Sequence, residues 1–201
     1  MTGELFFRIH SKFIFLKGEE TINSKIDYTY KIAIFGERNV GKTSLITRYI
    51  TDTFEVDTKP TLGAAIHVKY IKMKDKTILL QIWDFGGEDK YRFLLPSYAY
   101  GTFGAIFMYD ISKIESLANF REWISVFKSG LKKENDDIPI LLVGGKLDLE
   151  NSRTCLEQEK KNLLDTGIFF GIIECSSMTN ENINQVFELL LKEIINTKGN
   201  Y

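Results

Sequence analysis

The stretch GERNVGKTSL, from Gly36 to Leu45, follows an apolar run and opens an amphipathic segment. It fits the pattern GxxxxGK[ST], which fixes several positions in a short window, so chance matches are uncommon. Backbone N–H groups of such a turn point at phosphate oxygens, and the N-terminus of the next helix adds partial positive charge. The stretch therefore predicts a phosphate-binding loop between a strand and a helix. The alternative is an ordinary glycine-containing turn.

Individual residues of this stretch have types that suit phosphate binding. Gly36 and Gly41 supply backbone freedom. Lys42 can reach the β- and γ-phosphates, and the Thr43 hydroxyl is a natural Mg²⁺ ligand. We expect nucleotide contacts from Gly36, Glu37, Arg38, Asn39, Val40, Gly41, Lys42, Thr43 and Ser44.

Outward from this stretch, apolar runs alternate with amphipathic segments from Tyr28 onward, which is typical of an α/β domain with a mostly parallel sheet. Strands are predicted over residues 30–36, 65–73, 77–84, 103–110, 138–144 and 168–174. Only KDK joins the second and third runs, so these two strands should form an antiparallel hairpin. The sequence predicts an α/β fold of three layers: a six-stranded, mostly parallel sheet with one antiparallel edge strand, and helices on both faces.

Helices are predicted in the remaining segments, over residues 42–50, 116–130, 155–167 and the last stretch of the chain. Ser116 stands where a helix start is expected, and Gly130 and Gly167 stand where helix ends are expected. The last helix has apolar residues at helical spacing, which we expect in the core: Ile183, Val186, Phe187, Leu190, Leu191 and Ile194.

Composition limits the classes of function. The 201 residues are 44% hydrophobic, enough for one sizeable core, and the net charge of −1 gives no field that would attract nucleic acid. Cys155 and Cys175 resemble neither a disulfide framework nor a zinc site and fit a reducing compartment. No apolar stretch reaches the roughly 18 to 20 residues that cross a bilayer. We expect a cytoplasmic, monomeric protein.

The segment before the first strand has a different character, because ELFFRIHSKFIFLKG is dense in Phe, Leu and Ile. Its periodicity does not decide between a helix and a pair of strands. Two roles stay open: packing on the domain surface, or a membrane-interfacial or partner-docking helix over residues 1–17. The expected organisation is an apolar N-terminal extension at 1–27, one domain at 28–197 and a short tail at 198–201.

Lipid attachment is not signalled. The sequence ends in NTKGNY without a C-terminal cysteine, and Thr2 stands where N-myristoylation needs a glycine. Peripheral contact with a membrane is therefore expected only through the N-terminal extension or a partner.

The order of GERNVGKTS, KPTLG, WDFGGEDKYR, GGKLDL and ECSS resembles the nucleotide-binding motifs of Ras-superfamily small GTPases, at that family's spacing, over residues 29–197. WDFGGE and YDISKIESLANFREW look most similar to the Rab-like branch. The resemblance implies a P-loop GTPase fold that binds GTP or GDP with Mg²⁺. It also implies a molecular switch that signals through switch I and switch II to effectors, exchange factors and GTPase-activating proteins, with membrane trafficking as the associated process.

The resemblance assigns roles around the metal and the γ-phosphate. It implies Thr43, Thr61 and Asp84 as Mg²⁺ ligands, Asp84 through a water. It implies that Gly87 offers its N–H to the γ-phosphate and that Phe54 lies across the guanine. Thr61 could instead be a turn residue, and Phe54 could be ordinary surface packing.

Base recognition is expected in GGKLDL, because a carboxylate can accept the N1–H and 2-amino hydrogens that adenine cannot offer. By resemblance Asp148 accepts them, Lys146 packs along the ring, and Ser176, Ser177 and Met178 complete the site. The alternative for Asp148 is a helix cap. The family's pattern has asparagine at the position of Gly145 and lysine at that of Met178, so we expect weaker guanine affinity than in the pattern.

Two departures concern the chemistry. Glu88 stands where the family has the glutamine that orients the attacking water, and Arg38 stands where the Ras pattern has glycine. An ionised carboxylate repels the γ-phosphate and donates no hydrogen bond, so we expect slow hydrolysis. Arg38 could pair with Glu88 or reach the γ-phosphate; the alternative is that both are solvated. The expected catalytic set is Arg38, Lys42, Thr61, Gly87 and Glu88.

The slow hydrolysis leaves a second function open, a GTP-bound scaffold or interaction subunit that does not cycle. A P-loop kinase is disfavoured, because no separate arginine-rich lid segment is evident in the sequence.

Overall fold

Six strands form one sheet in the part of the chain that a computed structural model describes, residues 25–56, 59–132 and 137–198. The spatial order is β2-β3-β1-β4-β5-β6. The strands are β1 (Tyr28–Phe35), β2 (Ala64–Met73), β3 (Lys76–Phe85), β4 (Gly104–Asp110), β5 (Ile140–Gly145) and β6 (Gly171–Glu174).

All neighbouring strands run parallel except β2 and β3, which form an antiparallel hairpin with Met73 opposite Lys76. Lys74 takes a positive φ of 53° in the short turn between them, too short for a crossover helix. The hairpin places β2 at the edge of the sheet. The predicted sheet, with its antiparallel edge strand, is therefore confirmed.

Helices cover both faces of this sheet. They are α1 (Lys42–Thr51), α2 (Leu95–Ala99), α3 (Phe120–Lys128), α4 (Glu157–Leu164) and α5 (Ile183–Lys198), with 3-10 turns at Asp89–Leu94, Ile114–Leu117 and Leu147–Ser152. One apolar cluster lies between the sheet and α1 and α5, and a second lies under α2, α3 and α4. The six apolar residues predicted to bury the last helix are all in the first cluster.

Several predicted boundaries differ from the structure by a few residues, and the starts of one helix and of the last strand differ most. The helix expected at Ser116 begins at Phe120, because the Ser116 hydroxyl donates to the Lys113 carbonyl at 2.6 Å and accepts from the Asp110 N–H at 3.0 Å. Ser116 therefore closes the turn after β4 and does not cap a helix. The last strand begins at Gly171 and not at residue 168, because its pairing with β5 starts at Leu141 and Gly171.

The N-terminal extension falls largely outside the described residues, as does the tail from residue 199 onward. Within the described ranges, none of the helices has both the length and the apolar character needed to cross a membrane. Cys155 and Cys175 are buried free thiols, as the sequence led us to expect.

The ends of the strands position the candidate site. The P-loop, which we define as residues 36–43, links β1 to α1, and Asp84 lies at the end of β3. The base loop, residues 145–148, begins at the last residue of β5. Carboxyl ends of parallel strands meet at one edge of the sheet, where open α/β sheets bind their ligands.

Candidate functional site

A cleft of about 400 Å³ opens at this edge of the sheet, between the P-loop and the base loop. Most of the catalytic and nucleotide-binding residues expected from the sequence line it: Arg38, Asn39, Val40, Gly41, Lys42, Thr43, Ser44, Phe54, Thr61, Gly87, Glu88, Lys146, Asp148, Ser177 and Met178. Residues far apart in the sequence are thus brought to one concave surface.

Gly36, Glu37, Asp84 and Ser176 were also expected at the site, but they are not among the residues that line the cleft. The carbonyl oxygens of Gly36 and Glu37 accept hydrogen bonds from Lys42 Nζ at 2.9 and 2.7 Å. The Glu37 carboxylate turns away from the cleft and accepts the Trp123 indole N–H at 2.9 Å. Glu37 therefore contributes its backbone to the P-loop and its side chain to α3.

Lys42 is held inside the P-loop with only 6% of its surface exposed. Burial lowers the pKa of Lys42 to about 8, although the charges of Asp84 and Glu37 oppose the shift. An ammonium held by two carbonyls beside a cleft is a cation with incomplete charge compensation. Such a group favours an anionic ligand.

Three oxygens from separate elements converge beside the P-loop. Thr43 Oγ1, at the start of α1, donates to Asp84 Oδ2 at 2.6 Å, and Thr61 Oγ1 lies 3.1 Å from the same carboxylate oxygen. The two hydroxyls are 2.8 Å apart. This is the trio expected to hold Mg²⁺, and its atom types are the hard oxygen donors that this ion prefers.

Asp84 also has the electrostatics of a cation ligand. It is fully buried, and its Oδ1 has no hydrogen-bond partner among the described residues. Burial raises the pKa of Asp84, while the hydrogen bond from Thr43 and the charge of Lys42 oppose the rise. A divalent cation would compensate the buried carboxylate and use its unpaired oxygen, so the residues fit Mg²⁺.

The segment after β3 packs directly on the P-loop. A Cβ atom at Gly87 would lie 2.4 Å from the Arg38 backbone nitrogen, so only glycine allows this approach. The Gly86 N–H donates to the Gly63 carbonyl at 2.8 Å, which joins the switch I segment (residues 59–63) to the switch II segment (residues 85–96). The backbone of switch II is thus in contact with both switch I and the P-loop.

Glu88 pairs with Lys90 and not with Arg38. Glu88 Oε2 is 2.8 Å from Lys90 Nζ, and the described residues contain no Arg38–Glu88 ion pair. The hydrogen bond from Lys90 lowers the pKa of Glu88, and the charges of Lys90 and Arg38 contribute in the same direction. The direct pairing of Arg38 with Glu88 was therefore wrong. Both residues still line the cleft.

At the other end of the cleft, Asp148 is oriented by a neighbouring loop. Its Oδ1 accepts the Ser176 hydroxyl at 2.5 Å, and Ser176 Oγ in turn accepts the Thr179 N–H at 3.1 Å. One carboxylate oxygen is thus fixed by the protein. Asp148 lies within a 3-10 turn and does not act as a helix cap.

Lys146 is anchored from behind. Its Nζ lies 2.7 Å from Oδ2 of Asp110, a buried residue at the end of β4. Burial would raise the pKa of Asp110, but hydrogen bonds from Lys146 and Ser112 outweigh it and keep the pKa below its usual value. The ion pair holds the Lys146 side chain along the cleft wall, which suits packing on a flat ring.

Two apolar side chains of the cleft are accessible. Phe54 is 38% exposed and Met178 is 59% exposed, and both line the cleft. An exposed aromatic ring in such a cleft can cover a ligand ring.

Sequence reasoning missed several lining residues: Glu55, Val56, Lys59, Pro60, Phe85, Gly86 and Met108. Most of them are sequence neighbours of predicted residues. Met108 is different, because it lies inside the continuous apolar run of β4, where every residue is expected to be core. Nothing in the sequence pattern separates it from its neighbours.

Comparison with known proteins gives concordant results. The family model described as the Ras family matches residues 31–196. The chain is 34% identical over 177 residues to Ras-related protein RABA6b of Arabidopsis thaliana, which covers 88% of this chain and 75% of the relative. It is 37% identical over 176 residues to Ras-related protein Rab-3A of Homo sapiens, covering 88% and 78%. It is 32% identical over 175 residues to Ras-related protein Rab11A of Lotus japonicus, covering 87% and 75%.

Proposed function

The chain belongs to the Ras family of small GTPases, with Rab-like relatives, and we propose on this basis that it is a slowly hydrolysing GTP/GDP switch. Proteins of this family bind guanine nucleotides with Mg²⁺ and hydrolyse GTP. The observation that supports the proposal most strongly is that the Thr43 and Thr61 hydroxyls both contact one buried carboxylate oxygen, Asp84 Oδ2. These three residues come from the P-loop, from switch I and from the end of β3 just before switch II, the parts that a nucleotide switch must couple.

In the proposed complex the two ends of the cleft hold the two ends of the nucleotide. Backbone N–H groups of the P-loop and Lys42 bind the phosphates. Thr43, Thr61 and Asp84 would hold Mg²⁺, and the ion would supply positive charge against the phosphate oxygens. Asp148 accepts from the base, with Ser176 fixing its orientation.

Slow hydrolysis is proposed from the state of Glu88. Lys90 keeps this carboxylate ionised, so it adds negative charge near the bound γ-phosphate and offers no donor to it. Arg38 is exposed beside Glu88 and contributes positive charge at the same end of the cleft. A partner that supplies donors or displaces the Glu88 carboxylate would accelerate the reaction.

Signalling is proposed to depend on the switch contacts. Thr61 contacts Thr43 and Asp84 while the switch I segment lies against switch II. We propose that the γ-phosphate holds this arrangement, so its loss would release both segments. Exposed apolar side chains on the outer face of β2, Ile66, Val68 and Tyr70, continue this surface. Effectors, exchange factors and GTPase-activating proteins are proposed to bind there, and the Rab-like relatives suggest a role in membrane trafficking. Trp83 on the neighbouring strand is half-buried, with Lys31 over its ring.

The test is to identify the nucleotide that copurifies with the full chain and to measure GTP binding and single-turnover hydrolysis with Mg²⁺. We expect stoichiometric guanine nucleotide, loss of binding in Lys42→Ala and unchanged binding in Lys192→Ala, which alters an exposed lysine of α5. Absence of guanine nucleotide and of GTP binding would overturn the proposal.

A second candidate, a GTP-bound scaffold that does not cycle, is favoured by the Glu88–Lys90 ion pair. The copurified nucleotide separates the two functions. A scaffold retains stoichiometric GTP over hours, whereas a cycling switch carries mostly GDP.

Localisation is proposed as cytoplasmic, with membrane contact through the N-terminal extension. Sedimentation with liposomes tests this contact, and unchanged sedimentation after deletion of residues 1–20 would exclude that route.

A further inference from the structure

Gly145, the last residue of β5, lies against the P-loop more closely than any side chain permits. A Cβ atom at this position would lie 2.7 Å from the Val40 carbonyl oxygen and 2.5 Å from the Cε methyl of Met108. Real Cβ atoms do not approach other atoms this closely. The base loop and the P-loop therefore touch through backbone at this point.

Met108 and the Val40 carbonyl together occupy the space that a side chain at position 145 would need. Met108 reaches there from the neighbouring strand β4, and it is 1% exposed while lining the cleft. Its Cε methyl also lies 3.5 Å from the Cβ position of Gly41, which is ordinary van der Waals contact. One methyl group thus packs between the P-loop and the base loop.

This packing is specific to the combination of residues in this chain. The pattern described above for the family has asparagine where this chain has Gly145, and a side chain of that size cannot coexist with Met108 in its present position. Interiors are close-packed, so a gap left at Gly145 would be costly unless a neighbour filled it. The flexible thioether of methionine suits an irregular gap of this kind.

We propose that Met108 is a positioning residue of the nucleotide site: its thioether methyl fills the space beside Gly145 and sets how closely the P-loop and the base loop approach. The inference rests on the proposed function, because the P-loop holds the phosphates and the base loop holds the base of one ligand. If the distance between the two loops changes, a nucleotide whose phosphates are bound correctly has its base misaligned, and the reverse is also true. Nucleotide retention therefore depends on Met108, although Met108 offers the ligand no hydrogen bond.

The test is a double-mutant cycle on the full chain, read as the dissociation rate of a fluorescent GDP analogue in Mg²⁺. Met108→Ala and Gly145→Ala each accelerate dissociation. In the double variant the added Cβ occupies space that the methionine has vacated. Its dissociation rate is therefore lower, by about threefold or more, than the rate expected from multiplying the accelerations of the two single variants. The rescue is partial, because the approach to the Val40 carbonyl remains.

Gly144 provides the matched control. The three atoms nearest to a Cβ there would be Tyr109 Oη at 2.8 Å and Glu174 Cγ and Ile111 Cγ2 at 2.9 Å, none of them from Met108. Met108→Ala therefore does not rescue Gly144→Ala. Met108→Leu, which keeps most of the volume, restores slow dissociation.

Three outcomes would overturn the inference while leaving the proposed function intact. The accelerations of Met108→Ala and Gly145→Ala could simply multiply in the double variant, or Met108→Ala could rescue Gly144→Ala as well as it rescues Gly145→Ala. The third outcome is that Met108→Ala releases the GDP analogue at the rate of the parent. The last result needs no variant at Gly145 and so decides the matter even if those variants do not fold. Failure of the parent to bind any guanine nucleotide would instead reject the proposed function and the inference with it.

Discussion

Glu88 Oε2 lies 2.8 Å from Lys90 Nζ, so the carboxylate at the γ-phosphate end of the cleft is paired within its own loop. The ion pair lowers the pKa of Glu88 and keeps the group ionised at neutral pH. Both side chains are accessible to solvent, so the contribution of the pair to folding is small. Its proposed consequence is chemical, because it fixes a negative charge where the reaction develops more negative charge.

Glu88→Gln should accelerate single-turnover GTP hydrolysis. The amide removes the charge and can donate to an attacking water, and we expect an increase of about tenfold, equivalent to about 1.4 kcal/mol in the barrier. Glu115→Gln, at an exposed acid near the start of the 3-10 turn Ile114–Leu117, should leave the rate unchanged. Equal rates in the parent and Glu88→Gln would contradict the proposed inhibition by the carboxylate, and a parent that is faster than Glu88→Gln would show that Glu88 acts directly in the reaction and would reject the scaffold function.

Thr43→Ala should uncouple nucleotide release from Mg²⁺. The variant removes the hydroxyl that contacts both Asp84 and Thr61, so we expect Mg²⁺ affinity to fall about tenfold or more. GDP dissociation measured with and without EDTA should then differ little, whereas EDTA should accelerate it in the parent. Thr102→Ala is the control, because Thr102 is buried outside the cleft. Retention of the full EDTA effect in Thr43→Ala would reject the assigned metal trio.

The two tryptophans should differ in their contribution to stability. The Trp123 indole N–H donates to the Glu37 carboxylate at 2.9 Å, while the Trp83 indole nitrogen is buried without a partner among the described residues. Trp123→Phe leaves that carboxylate without its buried donor, so we expect a loss of about 1–3 kcal/mol in the free energy of unfolding beyond that of Trp83→Phe. Urea denaturation at saturating GDP measures both. Equal losses would show that the contact with Glu37 adds nothing to folding.

Lys31 should give the protein a stability that rises in mild alkali. Burial lowers the pKa of Lys31 from 10.5 to about 8. Between these values the unfolded chain holds a proton that the folded chain has released, so the free energy of unfolding rises with pH across this window. Lys31→Met should lose this rise, whereas Lys192→Met should keep it.

The measurement is urea denaturation at several pH values between about 8 and 10. A parent whose stability relative to Lys31→Met falls across this window would show that the Lys31 contacts outweigh burial. These contacts are the carbonyls of Tyr98 and Tyr100, at 2.6 and 2.8 Å, and the Trp83 ring.

Much of the fold could be predicted because its determinants are local. The alternation of apolar runs and amphipathic segments sets the strands and helices, and the short turn at Lys74 leaves β2 and β3 no arrangement except a hairpin. The errors occurred where tertiary contacts decide a boundary. Ser116 has the chemistry of a helix cap, but its hydroxyl is used by the turn after β4.

The candidate site, like the fold, could be predicted from the sequence only in part. The phosphate-loop pattern itself selected Lys42 and Thr43, whereas Thr61 and Asp84 were selected through the resemblance to Ras-superfamily GTPases. Spacing could not decide which cation pairs with Glu88, since Arg38 and Lys90 are equally available in the sequence and only loop geometry separates them.

The sequence by itself determined the class of fold, the P-loop and the residue types of the site, because these depend on periodicity and short-range chemistry. Tertiary structure alone decided that Glu37 points to α3, that Glu88 pairs with Lys90 and that Met108 fills the space beside Gly145. The physical reason is that close packing joins atoms from distant segments, and the identity of a packed neighbour has no signature in either segment alone.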